Sequence, residues 1–284
     1  MKRGISSLVS YSSSEEEADE EKFQAKVVKK RKLPTLSASI ALPAPVDDPS
    51  LHQGRIRTTP HIEGQFAAHV YVSVPLKKTS PLHTLIKNVV IDTKEMVPTL
   101  QEFTTSNPEC RELHVSLSRP IYLRAHQREE VKRTVRDIAN NHAPFEISFA
   151  SFSELINDEK TRSFLTLEVG AGHHELKNIS TDLSPILNTF RQKGYYDNPR
   201  FHASIGWALL DQPSSSPTVS ETHSPSTSSL NEYPTIPRFP DTLIPTLVGR
   251  YHGILSSQKV SVFPVARISV KIGKDVSSWN LVGT

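Results

Sequence analysis

Four side chains in this sequence have the types and the spacing to handle a phosphate. His114 and Ser116 stand two positions apart in Glu112-Leu-His-Val-Ser-Leu-Ser-Arg119, and His202 and Ser204 repeat that spacing in Phe201-His-Ala-Ser-Ile-Gly-Trp207. An imidazole titrates near pH 6.5, so one histidine can be a neutral base while another is a charged acid at working pH. A hydroxyl beside each imidazole can donate a hydrogen bond to a phosphate oxygen, and no metal ion is needed for either role. His-x-Ser alone is a weak pattern: with 12 histidines in the chain about one or two matches arise by chance.

What gives the pattern weight is the strand each copy sits in. Leu113, Val115 and Leu117 alternate with His114, Ser116 and Ser118, and Phe201, Ala203, Ile205 and Trp207 alternate with His202, Ser204 and Gly206. Alternation with period two marks a half-buried strand, whose successive side chains point to opposite faces. Each stretch is therefore expected to bury its apolar set, Trp207 included, and to turn a His and a Ser outward together. The bland reading is a pair of satisfied histidines at strand edges.

Other elements must hold these strands. Phe66–Pro75 reads as a strand, with Ala68, Val70, Val72 and Val74 opposite His69, Tyr71 and Ser73. His69 has no hydroxyl two places on in the His-x-Ser sense and is read as structural. Ser80-Pro81 supplies an N-cap and a first-turn proline, and Leu82, Leu85, Ile86 and Val89 carry a helix through Asn88 or slightly further. Val131, Val135 and Ile138 mark a second helix, whose other side carries Arg128, Lys132, Arg133 and Arg136. Residues 145–149 and 163–169 are strand-like. Leu176, Ile179, Leu183, Ile186 and Phe190 keep helical spacing from His173-His174 towards Gly194. The adjacent histidines do not share a helical face, which argues against a metal site there. A short helix around Leu243, Leu247 and Val248, strands at 259–263 and 267–272, a turn at Gly273-Lys274-Asp275 and a final strand to Leu281 complete the reading. The pattern predicts an α+β fold of two pseudo-symmetric lobes, each an antiparallel sheet with helices, facing across a central cleft.

Composition divides the chain. Hydrophobic content is 36%, with 21 prolines among 284 residues, which predicts that part is disordered. Residues 1–55 are expected to form a disordered tail, with an acidic block at 15–21 and a basic run, Lys29-Lys-Arg-Lys-Leu-Pro34, that reads as a nuclear localisation signal. A folded domain is expected over 56–284, interrupted by a disordered Ser/Pro-rich insertion at 211–241. A net charge of +3 confines any nucleic-acid affinity to a local groove. The single cysteine, Cys110, fits a reducing compartment. No apolar run approaches the roughly 20 residues that span a bilayer, and the N-terminus lacks a signal-peptide core. The protein is expected to be soluble and intracellular, with no membrane partner.

With two such strands in two lobes, the chain resembles the 2H phosphoesterase superfamily, and within it the branch of nuclear RNA 3′-end exonucleases. The resemblance rests on Leu113–Arg119 with Tyr122-Leu-Arg124, on Phe201–Trp207, on His69-Val-Tyr-Val72, on Val270-Lys-Ile-Gly-Lys274 and on the serine-plus-acid start at Tyr11–Glu15. It covers about residues 60–210 and 242–284. Ala203 and Gly206 are smaller than is usual there, and the insertion is atypical. The resemblance implies His114, Ser116, His202 and Ser204 as catalytic residues, Tyr196 and Ser118 as RNA contacts, no metal and no cofactor. It further implies a monomeric 3′–5′ exonuclease of the nucleus that trims the single-stranded 3′ oligouridine tail of U6 small nuclear RNA.

The side chains set the chemistry expected. A neutral His takes the proton of a ribose 2′-OH, the oxygen attacks the adjacent phosphorus, and a protonated His gives its proton to the departing 5′ oxygen. The first product is a 2′,3′-cyclic phosphate; the sequence leaves open whether it is then opened to a linear phosphate. His202 is expected to be the base, since Tyr196 nearby would hold the terminal base. Two alternatives use the same residues differently: opening of cyclic phosphates or cleavage of 2′–5′ linkages, and a non-catalytic RNA-binding splicing factor.

Overall fold

The computed structural model describes residues 49–55, 62–103, 112–212 and 233–283. The expected nuclear signal at Lys29–Lys32, Cys110 and most of the Ser/Pro-rich insertion lie outside the described residues.

The chain runs β1 (Gln65–Pro75), α1 (Pro81–Met96), β2 (Gln101–Glu102), β3 (Glu112–Ser116), β4 (Ile121–Arg124), α2 (Arg128–Asn141), β5 (Phe145–Ile156) and β6 (Arg162–Val169). It continues through α3 (His173–Asp182), α4 (Ser184–Thr189), β7 (His202–Leu209), α5 (Leu243–Leu255), α6 (Gln258–Ser261), β8 (Val262–Val265), β9 (Arg267–Ile272) and β10 (Asp275–Asn280). All named strand pairs are antiparallel. The sheet order is β10-β9-β1-β3-β7-β6-β5-β8, with β4 beside β1 and β2 beside β7.

The α+β class and the two halves are as expected, with one refinement. The halves β10-β9-β1-β3 and β7-β6-β5-β8 join through a single β3–β7 rung, Val115↔Ala203. The lobes are thus two wings of one sheet. One face buries Val70, Val72, Val115, Leu117, Leu165, Leu167, Ala203 and Ile205 in the core, where α1, α2 and α5 also place their buried residues.

Local chemistry explains most boundaries. Ser80 caps α1 by accepting the His83 N–H at 3.2 Å, with Pro81 behind it. The helix outlasts the expected Asn88 because Val89, Val90 and Thr93 continue its buried face; it stops before Pro98. The single helix expected from His173 to Gly194 is two, α3 and α4, because Pro185 has no N–H to continue the ladder, and the second ends at Thr189. The strand expected at 259–263 is also corrected. Residues 258–261 form α6, which buries Val260 and Ser261 in one helical turn, and the strand begins at Val262.

Two expected domain limits shift. Residues 49–52 form a 3-10 turn, and a Cβ on Gly54 would stand 2.5 Å from the Tyr233 ring, so order begins before residue 55. Ile236 pairs with Leu210 and Phe239 is buried, so residues 233–241 belong to the fold. Among the described residues no helix is long and apolar enough to cross a membrane.

Candidate active site

β3 and β7 meet antiparallel at Val115↔Ala203, whose side chains go into the core. The residues on either side of that rung point the other way. Extending the register by one step each way sets His114 across from Ser204 and Ser116 across from His202. The four side chains share one face in a diagonal arrangement about a local pseudo-two-fold, and all are half-buried. The structure thus brings together all four residues singled out in sequence.

Neighbouring strands extend that face. In β1, Tyr71 pairs with Ser116 and Ser73 with His114, so His69, Tyr71 and Ser73 lie beside the first His-x-Ser. In β6, Thr166 pairs with Ser204 and Glu168 with His202.

The surroundings of the two histidines differ. His202 Nδ1–H donates to the Arg200 carbonyl oxygen at 2.6 Å; a carbonyl only accepts, so the hydrogen is on Nδ1 and Nε2 keeps a lone pair when the ring is neutral. Burial lowers the His202 pKa, the charge of Arg200 lowers it further, and the backbone hydrogen bond and Glu168 act against them. Arg200 is itself clamped by Glu168 in a two-bond fork, at 3.0 and 2.9 Å, which holds the Glu168 carboxyl below its ordinary range. His114 is engaged through its other nitrogen: Nε2 lies 2.9 Å from Glu112 Oε1, and an ionised carboxylate only accepts, so Nε2–H donates. Its ring lies against Tyr71 at a centroid distance of 4.0 Å.

His69 stands 6.0 Å from His114 and stacks on Tyr71 at 4.9 Å. Burial, then the charges of His114 and Lys271, push its pKa down to about 4. It is neutral at ordinary pH, and it belongs to the site face rather than to the core. Glu112, Tyr71, Glu168 and Arg200 were not singled out from the sequence. The signal for Tyr71 was present, since it lies on the polar side of the β1 alternation.

Of the two residues expected at the RNA, Tyr196 is 43% exposed. One face of its ring carries the Arg119 guanidinium at 3.8 Å, and its O–H donates to Asp158 at 3.0 Å. Arg119 bonds the same carboxylate at 2.6 Å, so the ring is held rather than loose. Ser118 is a correction. It is 2% exposed, and its Oγ accepts the Val70 N–H at 2.9 Å, so it ties β1 to the chain leaving β3 and presents nothing to RNA. The basic side of α2 is partly neutralised, Lys132 by Glu129 and Arg128 by Asp275. Among the described residues no group of three His, Cys, Asp or Glu is gathered as metal ligands would be.

A polar sheet face with two mirrored His-x-Ser pairs makes a candidate acid–base site. The chain belongs to the HVSL family, described as "Uncharacterised conserved protein", whose profile matches residues 31–280; His114-Val-Ser-Leu117 spells the name. Among curated proteins it is similar to U6 snRNA phosphodiesterase 1 of Rattus norvegicus, 29% identical over 59% of this chain and 59% of that protein. The protein of the same name from Drosophila melanogaster is 28% identical over 72% of this chain and 80% of its own length; that of Neurospora crassa is 31% identical over 61% and 56%. The chain therefore spans less than two thirds of the rat and Neurospora proteins. Among solved structures, Kluyveromyces marxianus Usb1 with uridine monophosphate aligns over 76% of this chain and 98% of that one, at 14% identity and a TM-score of 0.46.

Proposed function

We propose that this protein is a nuclear 3′–5′ exoribonuclease that trims the 3′ oligouridine tail of U6 small nuclear RNA as a monomer. The reading draws the substrate from the names of its curated relatives and the chemistry from its own residues. The observation that carries it is the diagonal of His114, Ser116, His202 and Ser204 about one β3–β7 rung.

His202 acts as base: its Nδ1–H is held by Arg200, so its Nε2 lone pair takes the proton of the 2′-OH. The 2′ oxygen attacks the neighbouring phosphorus, and Ser116 and Ser204 donate hydrogen bonds to the phosphate oxygens as charge develops. His114 acts as acid. The Nε2–H that Glu112 accepts in the free protein passes to the departing 5′ oxygen once RNA replaces the carboxylate as acceptor. The bond from phosphorus to the 5′ oxygen breaks, and the shortened RNA ends in a 2′,3′-cyclic phosphate. The exposed ring of Tyr196, backed by Arg119, offers its open side to the terminal base.

End-labelled oligouridine, incubated in excess chelator, tests this. Stepwise shortening to cyclic-phosphate ends is expected, with no cleavage where the preceding sugar is 2′-deoxy. His114→Ala and His202→Ala should each lose about 10²–10⁴-fold in rate. Cleavage of the deoxy substrate, or dependence on added magnesium, would refute the mechanism.

A further inference from the structure

The β6–β7 register shifts within the site face. Leu165 pairs with Gly206 but Thr166 pairs with Ser204, so Ile205 is an extra residue in β7 and the alternation reverses beyond it. Ile205 and Ala208 are in the core cluster and Trp207 is not. A Cβ on Gly206 would meet Leu100, a core residue, at 3.2 Å. The bulge therefore returns Trp207 and Leu209 to the face that carries His202 and Ser204, with Phe164 and Arg162 paired beside them.

That continuation of the face is aromatic and cationic. The Arg55 and Arg162 guanidiniums lie 5.7 and 5.9 Å from the Trp207 ring, and Arg162 is 5.2 Å from Phe164. Among the described residues neither arginine has an ion-pair partner within 4.0 Å. Glu159 acts on Arg162 only at longer range, its carboxylate already accepting from Asn157 at 2.7 Å. Two like charges gathered over one ring and partly desolvated oppose each other, and an anion between them relieves that cost. Next to them is a cavity of about 240 Å³ bounded by Gln53, Thr99, Gln101, Trp207 and Tyr233. Thr99 Oγ1 is sealed from solvent with no hydrogen-bond partner. On the outer side Phe103, 39% exposed, lies parallel to Phe164 within 7°, a surface on which a base can stack.

We propose that Arg55, Arg162, Phe103, Phe164 and the Trp207 cavity form a second RNA subsite, which holds the phosphate and base of a nucleotide upstream of the scissile bond. It rests on the reading of RNA as substrate. Five residues of strand separate His202 from Trp207, about 16 Å at the usual rise, farther than the one removed nucleotide extends from His202. Its ligand is a phosphodiester with an unpaired base, supplied by the same strand whose 3′ end lies at His202. RNA long enough to reach both is held at two points.

The test is binding by fluorescence anisotropy of oligouridines from the dinucleotide upwards, each with one 2′-deoxy sugar before the terminal nucleotide so that turnover plays no part. The wild-type protein should gain affinity with length. The Arg55→Ala/Arg162→Ala double variant should lose that gain, binding long RNA about 10- to 100-fold more weakly, with a salt dependence shallower by about one unit per lost phosphate contact. The dinucleotide should bind both proteins alike. If the double variant does not fold, Phe103→Ala on the exposed rim is read in the same series and should lose about 5- to 50-fold on long RNA only. Unchanged affinity for long RNA would overturn the proposal. So would an equal loss on the dinucleotide, which would mean that the arginines only shape β7. Free uridine monophosphate binding as tightly as long RNA, and lost in the double variant, would make this a free-nucleotide site and overturn it too. Failure of the intact dinucleotide to be cleaved would count against the enzymatic reading alone, since length-dependent binding needs no turnover.

Discussion

His202 and His114 share the His-x-Ser spacing but differ two residues upstream, where Arg200 precedes one and Glu112 the other. Burial lowers the His202 pKa, with the Arg200 charge adding to it and Glu168 opposing it. A base works in its neutral form, so the acid limb of the kcat/KM profile should rise with pH through the His202 pKa. Because that pKa is lowered, the midpoint of the rise should lie below the ordinary histidine value of about 6.5. Arg200→Gln removes the cation and frees the negative charge of Glu168 to act on the ring, while the carbonyl that accepts from Nδ1 stays. Both changes favour the imidazolium, so the acid limb of the profile should move to higher pH. A limb that stays where it is in Arg200→Gln would mean that His202 is not the base.

At the scale of elements, the site depends on how β3 is fastened to its neighbour. Leu117 N–H donates to the Val70 carbonyl at 2.8 Å, and Ser118 Oγ accepts the Val70 N–H at 2.9 Å, so both polar groups of Val70 are taken by the residues leaving β3. Ser118→Ala leaves a buried N–H without an acceptor, which costs about 1–3 kcal/mol. Urea unfolding should report that loss while the affinity for oligouridine stays as in the wild type, because the hydroxyl is sealed from solvent. A loss of RNA affinity without a loss of stability would restore Ser118 as an RNA contact.

At the scale of the whole molecule, the site face imposes a pH dependence on folding. His69 has a pKa of about 4 in the fold and about 6.5 when unfolded. Between these values the unfolded chain binds the extra proton, so stability rises with pH across that window and is fully present above it. The shift corresponds to about 3 kcal/mol at most, lost progressively as pH falls from about 6.5 towards 4. His69→Gln should flatten that part of the stability–pH curve relative to the wild type, measured as urea midpoints at several pH values. Parallel curves for the two proteins would show that His69 is not a depressed histidine.

Alternation alone determined that Leu113–Ser118 and Phe201–Ser204 would each turn a histidine and a serine away from a core. A period of two leaves a strand only two faces, and the apolar set claims one of them. Local signals of the same kind determined the cap at Ser80-Pro81 and the turn at 273–275. What lay beyond them needed contacts distant in sequence. That β3 and β7 meet at a single rung, and so become the two sides of one site, depends on strand pairing that no local pattern encodes. Trp207 is buried as expected, 2% exposed, but on the opposite side of the sheet from Ile205 and Ala208, because a bulge at Ile205 is defined by the partner strand and one extra residue reverses every side chain after it. Ser118 looked outward by count, yet the backbone had already turned and the Val70 N–H claimed its hydroxyl. The unlike roles open to His114 and His202 begin two positions upstream, with Glu112 before one and Arg200 before the other; only the folded geometry set which ring nitrogen each engages. Two strands of one His-x-Ser spacing became different because one imidazole met a carboxylate and the other a carbonyl.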